Sequence, residues 1–365
     1  MQLLDATVRE GAQRSSVTYS VEQKVAVAEA LDDLGVSFIQ LGFPIVGDET
    51  AEAAARLDTE AQLTGIARAV EGDIDAAAAA DLDVIEVSAP TSRLQRERLL
   101  GATKAELKET VVDALEYAAE TGLEVHFGAM DGFRTEPAFL ADLARLVTPY
   151  TDWVTVADTV GSCLPERVTE TLDALEAVDG EFEIGVHFHD DLGLATANAL
   201  LAARRGVGKV DVTVGGVGER AGNTPLEELV IAAELAGDVP LDVEPARVIP
   251  AATQILDELD EPVSSGKPVI GAGVFEHESG MHTAAMLDEP ATFEPFEPAR
   301  FGGDRRLLFG SASGRGAARR LLERAGVDPT PERIEAVLTE LHATETALEL
   351  EEAVRLAERV VETDS

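Results

Sequence analysis

Cysteine and tryptophan each occur once in this 365-residue chain, lysine five times, and aromatic residues make up 4% of it. One thiol, Cys163, excludes an internal disulfide framework and any thiolate metal site, and so points to a reducing, cytoplasmic setting. No apolar run approaches the ~20 residues needed to span a bilayer, and the N-terminus enters a strand with no basic-then-apolar leader. A soluble, untargeted protein is expected. Positive charge is scarce as well: 29 Lys and Arg stand against 69 Asp and Glu, for a formal net charge of -40. Such a surface repels nucleic acid and anionic membrane, which excludes both as partners. Disorder is excluded too, because hydrophobic residues reach 45% and the acids are spread through helical stretches instead of gathered in a tail. The composition suits a folded protein with a halophilic surface, where salt screens self-repulsion over a few Å.

What is there is a regular alternation. After Leu3 and Leu4, apolar strands are predicted at 36–43, 63–67, 84–89, 123–129, 153–157, 184–189 and 210–214. Helical stretches begin near Asp48, Asp73, Lys104, Glu136, Pro165, Leu194 and Pro225, and a helix with a Ser20–Gln23 capping box precedes the second strand and stops at Gly35. Eight strand–helix pairs at about thirty-residue spacing predict a closed (β/α)8 TIM barrel over residues 1–240. Thr224 is expected to cap the last helix, with Pro225 at its first position and Glu227 completing a second capping box. Proline then punctuates a linker or subdomain at about 241–300. Helices near 317–325, 331–342 and 348–361 predict a smaller, mostly helical C-terminal domain within 241–365.

Charged residues at strand ends are the candidates for chemistry. Asp5-Ala6-Thr7-Val8-Arg9-Glu10-Gly11-Ala12-Gln13 follows the first strand at once, and it reads either as an active strand end or as an Arg9–Glu10 pair in a charged loop. In His187-Phe188-His189 the two imidazoles lie two apart on a strand and share a face. That pair is either an exposed-face pair or part of a metal site. In a barrel, strand eight lies between strands seven and one, so Glu10 can converge with both histidines at the mouth, with Asn223 as a further oxygen ligand. Two imidazoles, a carboxylate and an amide make an open, mixed N/O set suited to a catalytic divalent cation, whether Mn, Zn, Mg or Co. Cys163 is an inert thiol or a nucleophile, and Glu219-Arg220 is a structural ion pair or part of the catalytic set.

Asp5 to Gln13, Leu41-Gly42-Phe43-Pro44, Asp158-Thr159-Val160-Gly161, His187-Phe188-His189-Asp190-Asp191-Leu192-Gly193 and Gly218-Glu219-Arg220-Ala221-Gly222-Asn223 resemble, in order, the motifs of the 2-isopropylmalate, homocitrate and citramalate synthases. The similarity continues through His277 to His282. It implies condensation of acetyl-CoA with a 2-oxo acid and release of CoA. It also implies a homodimer in which the C-terminal domain reaches the partner's barrel. For that chemistry, Glu10, His187, His189 and Asn223 would hold the metal and Arg9 would stabilise the developing oxyanion. Thr159 matches the family residue that binds the substrate carboxylate, and His282, or else His277, is the candidate base. Glu219 completes the catalytic candidates. Three positions depart from the family: Met130 and Gln40 where it has Glu, and Phe293 where it has Tyr. The related hydroxymethylglutaryl-CoA lyase has a Cys in the loop after strand eight, where this chain has Glu219-Arg220, so synthase is favoured over lyase. A metal-binding paralogue with little turnover is the non-enzyme alternative. The ends of strands two to five carry Arg68, Arg93, Gln95 and His126, and Thr91-Ser92-Arg93-Leu94-Gln95 resembles the homocitrate-type segment. This basic group is expected to bind the far end of a dicarboxylic 2-oxo acid.

Overall fold

Eight short strands follow one another around a closed parallel barrel: β1 (Gln2–Asp5), β2 (Phe38–Gly42), β3 (Gln62–Arg68), β4 (Val84–Pro90), β5 (Glu124–Met130), β6 (Trp153–Asp158), β7 (Glu183–Phe188) and β8 (Lys209–Val212). The barrel closes where β1 pairs with β8, Asp5 opposite Val212. The computed structural model describes residues 1–278 and 280–363, and the chain divides into two units, Met1–Val263 and Ser264–Ser365. Among the described residues no helix is long and apolar enough to cross a membrane.

Local chemistry explains how the barrel helices start and stop. Ser20 accepts from the Gln23 amide at 3.2 Å and Gln23 accepts from the Ser20 amide at 3.0 Å, so two otherwise unpaired donors of helix Val21–Leu34 are satisfied. Gly35 ends it at φ 95, where a Cβ would stand 2.7 Å from the Asp242 carbonyl oxygen. The second expected capping box does not form. Pro225 is itself the N-cap of helix Leu226–Ala236, in an extended conformation, and Glu227 accepts from the Gly215 amide at 3.0 Å. The glutamate is drawn away because the loop after β8 offers it a backbone donor. A further helix, Val248–Glu258, packs on Val21–Leu34 and buries Val248, Ala252, Ile255 and Leu256. Glu261 then pairs with Arg14 and accepts from Tyr19 Oη at 2.7 Å, tying the end of this unit to the loop after β1.

The second unit, taken by itself, is mostly helical as expected: Gly280–Met286, Arg315–Arg324, Pro331–Ala343 and Leu350–Thr363. Leu307, Phe309, Leu321, Leu322, Val337 and Leu341 lie in its apolar core. It also holds a small sheet, in which β10 (Arg306–Phe309) pairs in parallel with β9 (Glu276–His277) and antiparallel with β11 (Leu348–Glu349). Strands of two to four residues leave no periodic signal, which is why the sequence reading passes over them.

The interior of the barrel is polar and tightly filled. Lys209 is fully buried, with Nζ 3.1 Å from His126 Nδ1 and 3.8 Å from Glu86 Oε2, and it lies 5.5 and 5.4 Å from the Phe38 and Trp153 rings. A Cβ on Gly185 of β7 would meet Thr155 Oγ1 at 2.7 Å and Lys209 Cε at 3.0 Å. Gly185→Ala is therefore expected to destabilise the barrel by about 1–3 kcal/mol through overpacking. The urea midpoint reads this, and an unchanged midpoint would show that the lysine gives way freely.

Candidate active site

The residues after β1 form a helical turn, Thr7–Gly11, and not a strand end. Asp5 sets it up, accepting from the Thr7 amide at 2.8 Å and the Thr7 hydroxyl at 2.9 Å, while Thr7 Oγ1 accepts from the Val214 amide at 2.8 Å. Burial pushes the Asp5 carboxyl up to about 7 in spite of those bonds. The turn carries Glu10 inward, where it is fully buried, and leaves Arg9 beside it as an ion-pair partner. Gln13, with its amide oxygen facing the guanidinium, accepts from Arg9 at 2.8, 2.9 and 3.1 Å. A cleft of about 320 Å³ opens alongside, lined in part by Arg9, Gln13, Tyr19, Lys24 and Phe43. The Arg9–Glu10 pair thus exists, and it borders the place where Glu10 meets the histidines.

His187, the last residue but one of β7, sets Nε2 3.5 Å from Glu10 Oε1 and 3.4 Å from His189 Nε2. His189 lies just beyond β7, held by an antiparallel bridge to Asn223. One ligand atom from each of Glu10, His187 and His189 lies within 4.8 Å of the others. Asn223 places Nδ2 3.1 Å from His187 Nε2, and its Oδ1 is buried without a partner among the described residues, as is Glu10 Oε2. Turning that amide over brings an oxygen to the same point.

Burial disfavours the ionised Glu10, but Arg9, His187 and His189 outweigh it and hold the carboxyl below its usual range. Burial, reinforced by His187, pushes His189 down to about 3, so its imidazole is neutral. Burial also pulls His187 down, but the Asp211 hydrogen bond and Glu10 overcome it and raise it. One N–H can pair the two imidazoles, yet Glu10 Oε2 beside them is still buried without a hydrogen-bond partner among the described residues. The donor set therefore fits a divalent cation with open positions.

The remaining candidates fall into different places. Thr159 Oγ1 accepts from the Asp131 amide at 2.8 Å, which leaves its O–H free to donate. Arg220 pairs with Glu219, bonds Asp191 at 2.9 and 3.1 Å and reaches the Thr159 carbonyl at 2.9 Å, so it clamps the loops after β6, β7 and β8. Arg68 makes a two-pronged contact with Asp73 at 2.7 and 2.9 Å, while Arg93 is exposed and Gln95 half-buried on the short helix after β4. His126 is a correction. It points into the barrel floor, fully buried, bonded to Glu124 at 2.9 Å and to Lys209, and it is out of reach of a substrate at the mouth. His126 was expected at a strand end facing the substrate, but it stands near the start of β5, at the opposite end of the barrel.

Cys163 is buried after β6, and burial pushes its thiol up to about 12, which makes it inert. Asp131, beside Met130, is held by Arg134 at 2.7 Å and by the Ser92 hydroxyl, so it is committed to structure. In the second unit the His282 ring stacks on Phe293 at 3.9 Å, and His277 Nε2 lies 3.9 Å from Glu294 Oε1. Sequence reasoning missed Asp211, Glu86, Lys209 and Lys24. Their one signal was a charge inside an apolar strand or on the apolar face of a helix.

The fold and site define a class: a closed (β/α)8 barrel whose mouth carries a carboxylate and two imidazoles able to hold a metal ion. The HMGL-like family profile matches residues 1–255, and the homocitrate synthase post-HMGL domain-like profile matches residues 269–347. The chain belongs to the HMGL-like family, in the branch of the 2-isopropylmalate, homocitrate and citramalate synthases. It is 39% identical to the homocitrate synthase AksA of Methanopyrus kandleri, over 93% of this chain and 86% of that protein. It is 36% identical to the probable 2-isopropylmalate synthase of the same organism, over 93% and 68%. A putative (R)-citramalate synthase CimA of Archaeoglobus fulgidus is 35% identical over 93% and 71%. Among solved structures, the HMG-CoA lyase of Bacillus subtilis superposes with a TM-score of 0.62 at 20% identity, covering 73% of this chain and 95% of that one. That last likeness concerns the fold alone.

The floor histidine gives a pH test. Burial, and then the Lys209 charge, lower His126 from 6.5 to about 4. A folded value below the unfolded one means stability that is complete above the unfolded value and is lost as pH falls through the folded one. The loss is on the order of 3 kcal/mol between those two values. In chelator-treated protein, His126→Gln should flatten the unfolding free energy over that window. Equal slopes in the two proteins would show that His126 is not buried neutral.

Proposed function

We propose that the protein transfers the acetyl group of acetyl-CoA to the keto carbon of a 2-oxo acid and releases CoA. The observation that carries this is the convergence of Glu10, His187 and His189 within 4.8 Å at the barrel mouth. It is supported by relatives named as homocitrate, 2-isopropylmalate and citramalate synthases. A divalent cation held by these three residues, with Asn223 beside them, would supply Lewis-acid polarisation of the 2-oxo acid. The chain's own groups do the rest. The Thr159 hydroxyl donates to the substrate carboxylate, and the Arg9 guanidinium, bordering the cleft, meets the negative charge that grows on the keto oxygen. Proton removal from the acetyl methyl is assigned to His282. A C–C bond forms between that carbon and the keto carbon, the keto oxygen becomes a hydroxyl, and water then cleaves the thioester to free the thiol.

For the 2-oxo acid, the donors left for a second carboxylate are Arg93 and Gln95. Arg68 is neutralised by Asp73, and His126 is sealed in the floor. The proposed substrate class is still a dicarboxylic 2-oxo acid such as 2-oxoglutarate, now resting on the exposed Arg93. A thiol assay for CoA release with a panel of 2-oxo acids tests both steps. The expected result is a higher kcat/KM for 2-oxoglutarate than for 2-oxoisovalerate, with the preference narrowed in Arg93→Ala. A clear preference for the branched acid would overturn the substrate class, and no release with any acid would overturn the reaction.

Two substitutions separate binding from turnover. His187→Ala should lose stoichiometric metal, read by elemental analysis, together with CoA release. Arg9→Lys should keep the metal and lose most turnover, because a compact ammonium cannot reproduce the guanidinium's forked contact.

A further inference from the structure

One more carboxylate is built against the site from below. The parallel register of β7 and β8 sets His187 opposite Asp211, and Asp211 Oδ2 lies 3.2 Å from His187 Nδ1. Asp211 is buried, and its other oxygen has no partner among the described residues. A neutral imidazole carries one proton, and the nitrogen that carries it cannot ligate. On His187, Nδ1 faces an acceptor-only carboxylate, while Nε2 faces Glu10 Oε1 at 3.5 Å, His189 Nε2 at 3.4 Å and the Asn223 amide nitrogen at 3.1 Å.

Resting on the reading of Glu10, His187 and His189 as metal ligands, we propose that Asp211 is the positioning residue of that centre. It takes up the Nδ1–H of His187 and so fixes the tautomer whose Nε2 lone pair faces Glu10 and His189. The opposite tautomer would set a carboxylate oxygen against an imidazole lone pair at 3.2 Å in a buried place, two acceptors with no proton between them. Among the described residues His189 has no such support, since its Nδ1 is buried without a partner there and its position comes from the backbone bridge to Asn223. The centre is therefore asymmetric, with one imidazole oriented by a charge and the other by the chain.

The barrel interior supplies a control. Glu86, on β4, is a second buried carboxylate, and its partner is Lys209 at 3.8 Å, not the imidazole. If the effect on the centre came from buried negative charge in general, Glu86 and Asp211 would be equivalent. If it comes from the Nδ1 hydrogen bond, only Asp211 matters.

Calorimetric titration of Mn2+ into chelator-stripped protein tests this, comparing the unmodified chain, Asp211→Asn and Glu86→Gln. Asparagine keeps the shape, but its amide can donate to Nδ1 and so force the proton onto Nε2. Metal affinity should fall about 10–100-fold in Asp211→Asn and stay unchanged in Glu86→Gln. Unchanged affinity in Asp211→Asn, or an equal loss in both variants, overturns the positioning role. A fall in metal-free thermal stability of Asp211→Asn with unchanged metal affinity overturns it too, because that is what a purely structural carboxylate would show. If the unmodified protein takes up no Mn2+, the reading of the centre fails, and this inference with it. Should Asp211→Asn not fold, imidazole nitrogen NMR of the unmodified, metal-free protein decides at a pH where His187 is neutral. A proton on Nδ1 supports the inference, and a proton on Nε2 overturns it.

Discussion

Closure of the barrel through β8 is the constraint on which the site depends. Lys209 to Val212 of that strand pair on one side with Gln2 to Asp5, and Lys209 to Asp211 pair on the other with Gly185 to His187. Only because β8 holds both neighbours do Glu10, from the start of the unit, and the histidines, from its last third, come within ligand distance. The ladder also fixes depth. Asp5 opposite Val212 and His187 opposite Asp211 set the turn carrying Glu10 and the end of β7 at the same height above the floor. Pairing of residues so distant in sequence carries a loop-closure cost that no local contact offsets beforehand. The three residues therefore meet only when the barrel is closed.

Below the mouth the barrel departs from an apolar core. Glu86, His126 and Lys209 lie inside it, with Glu124 bonding His126 from the floor. Burial, most of all, keeps the Glu86 carboxyl above its usual range even beside the Lys209 ammonium. Such clusters seldom stabilise a fold against a well-packed apolar alternative, since desolvation offsets most of the attraction. Their effect here is directional. Lys209 is trapped between two aromatic rings and bonded to His126, so the floor cannot slide, and the register of β8, which carries Asp211, is held.

The strand–helix alternation was legible because each barrel strand is a short apolar run and each helix repeats at its own period. That much needs no long-range information. The convergence of Glu10, His187 and His189 was legible for a related reason: they lie at or just beyond the ends of β1 and β7, which topology places on either side of β8. What the chain order does not show is depth within a strand. His126 and Lys209 look inward like any alternate residue, but only the ladder says that they meet at the floor while His187 reaches the mouth. The same limit applies to competition for donors. Glu227 has the spacing of a capping residue, and it goes instead to the Gly215 amide that the fold places nearby. Arg68 has the charge of a substrate anchor, and Asp73, five residues on, takes it first.

The scarcity of lysine carries information of its own. Of five lysines, Lys24 and Lys209 are buried, in a protein whose exposed cations are mostly arginines. A guanidinium needs a planar cluster of acceptors, whereas an ammonium can be satisfied by a few scattered ones. Lys24 does this with the Leu41 carbonyl at 2.9 Å and the Thr50 hydroxyl at 3.3 Å, joining the end of β2 to the helix that follows it, at the cleft beside Arg9. Lys209 does it with one imidazole nitrogen between two rings. Neither position has room for a fork, as the 3.1 Å between a Cβ on Gly42 and Lys24 Nζ and the 3.0 Å between one on Gly185 and Lys209 Cε show. On the surface the selection runs the other way: a strongly acidic face leaves many carboxylates for a cation to bridge, and arginine can take two at once, as Arg205 does with Asp173 and Glu176. Two of the five lysines thus enclose a compact charge while Lys104 and Lys108 pair with Glu136 and Asp142 at the surface, and the lone lysine inside an apolar strand, Lys209, belongs to the interior chemistry of the barrel.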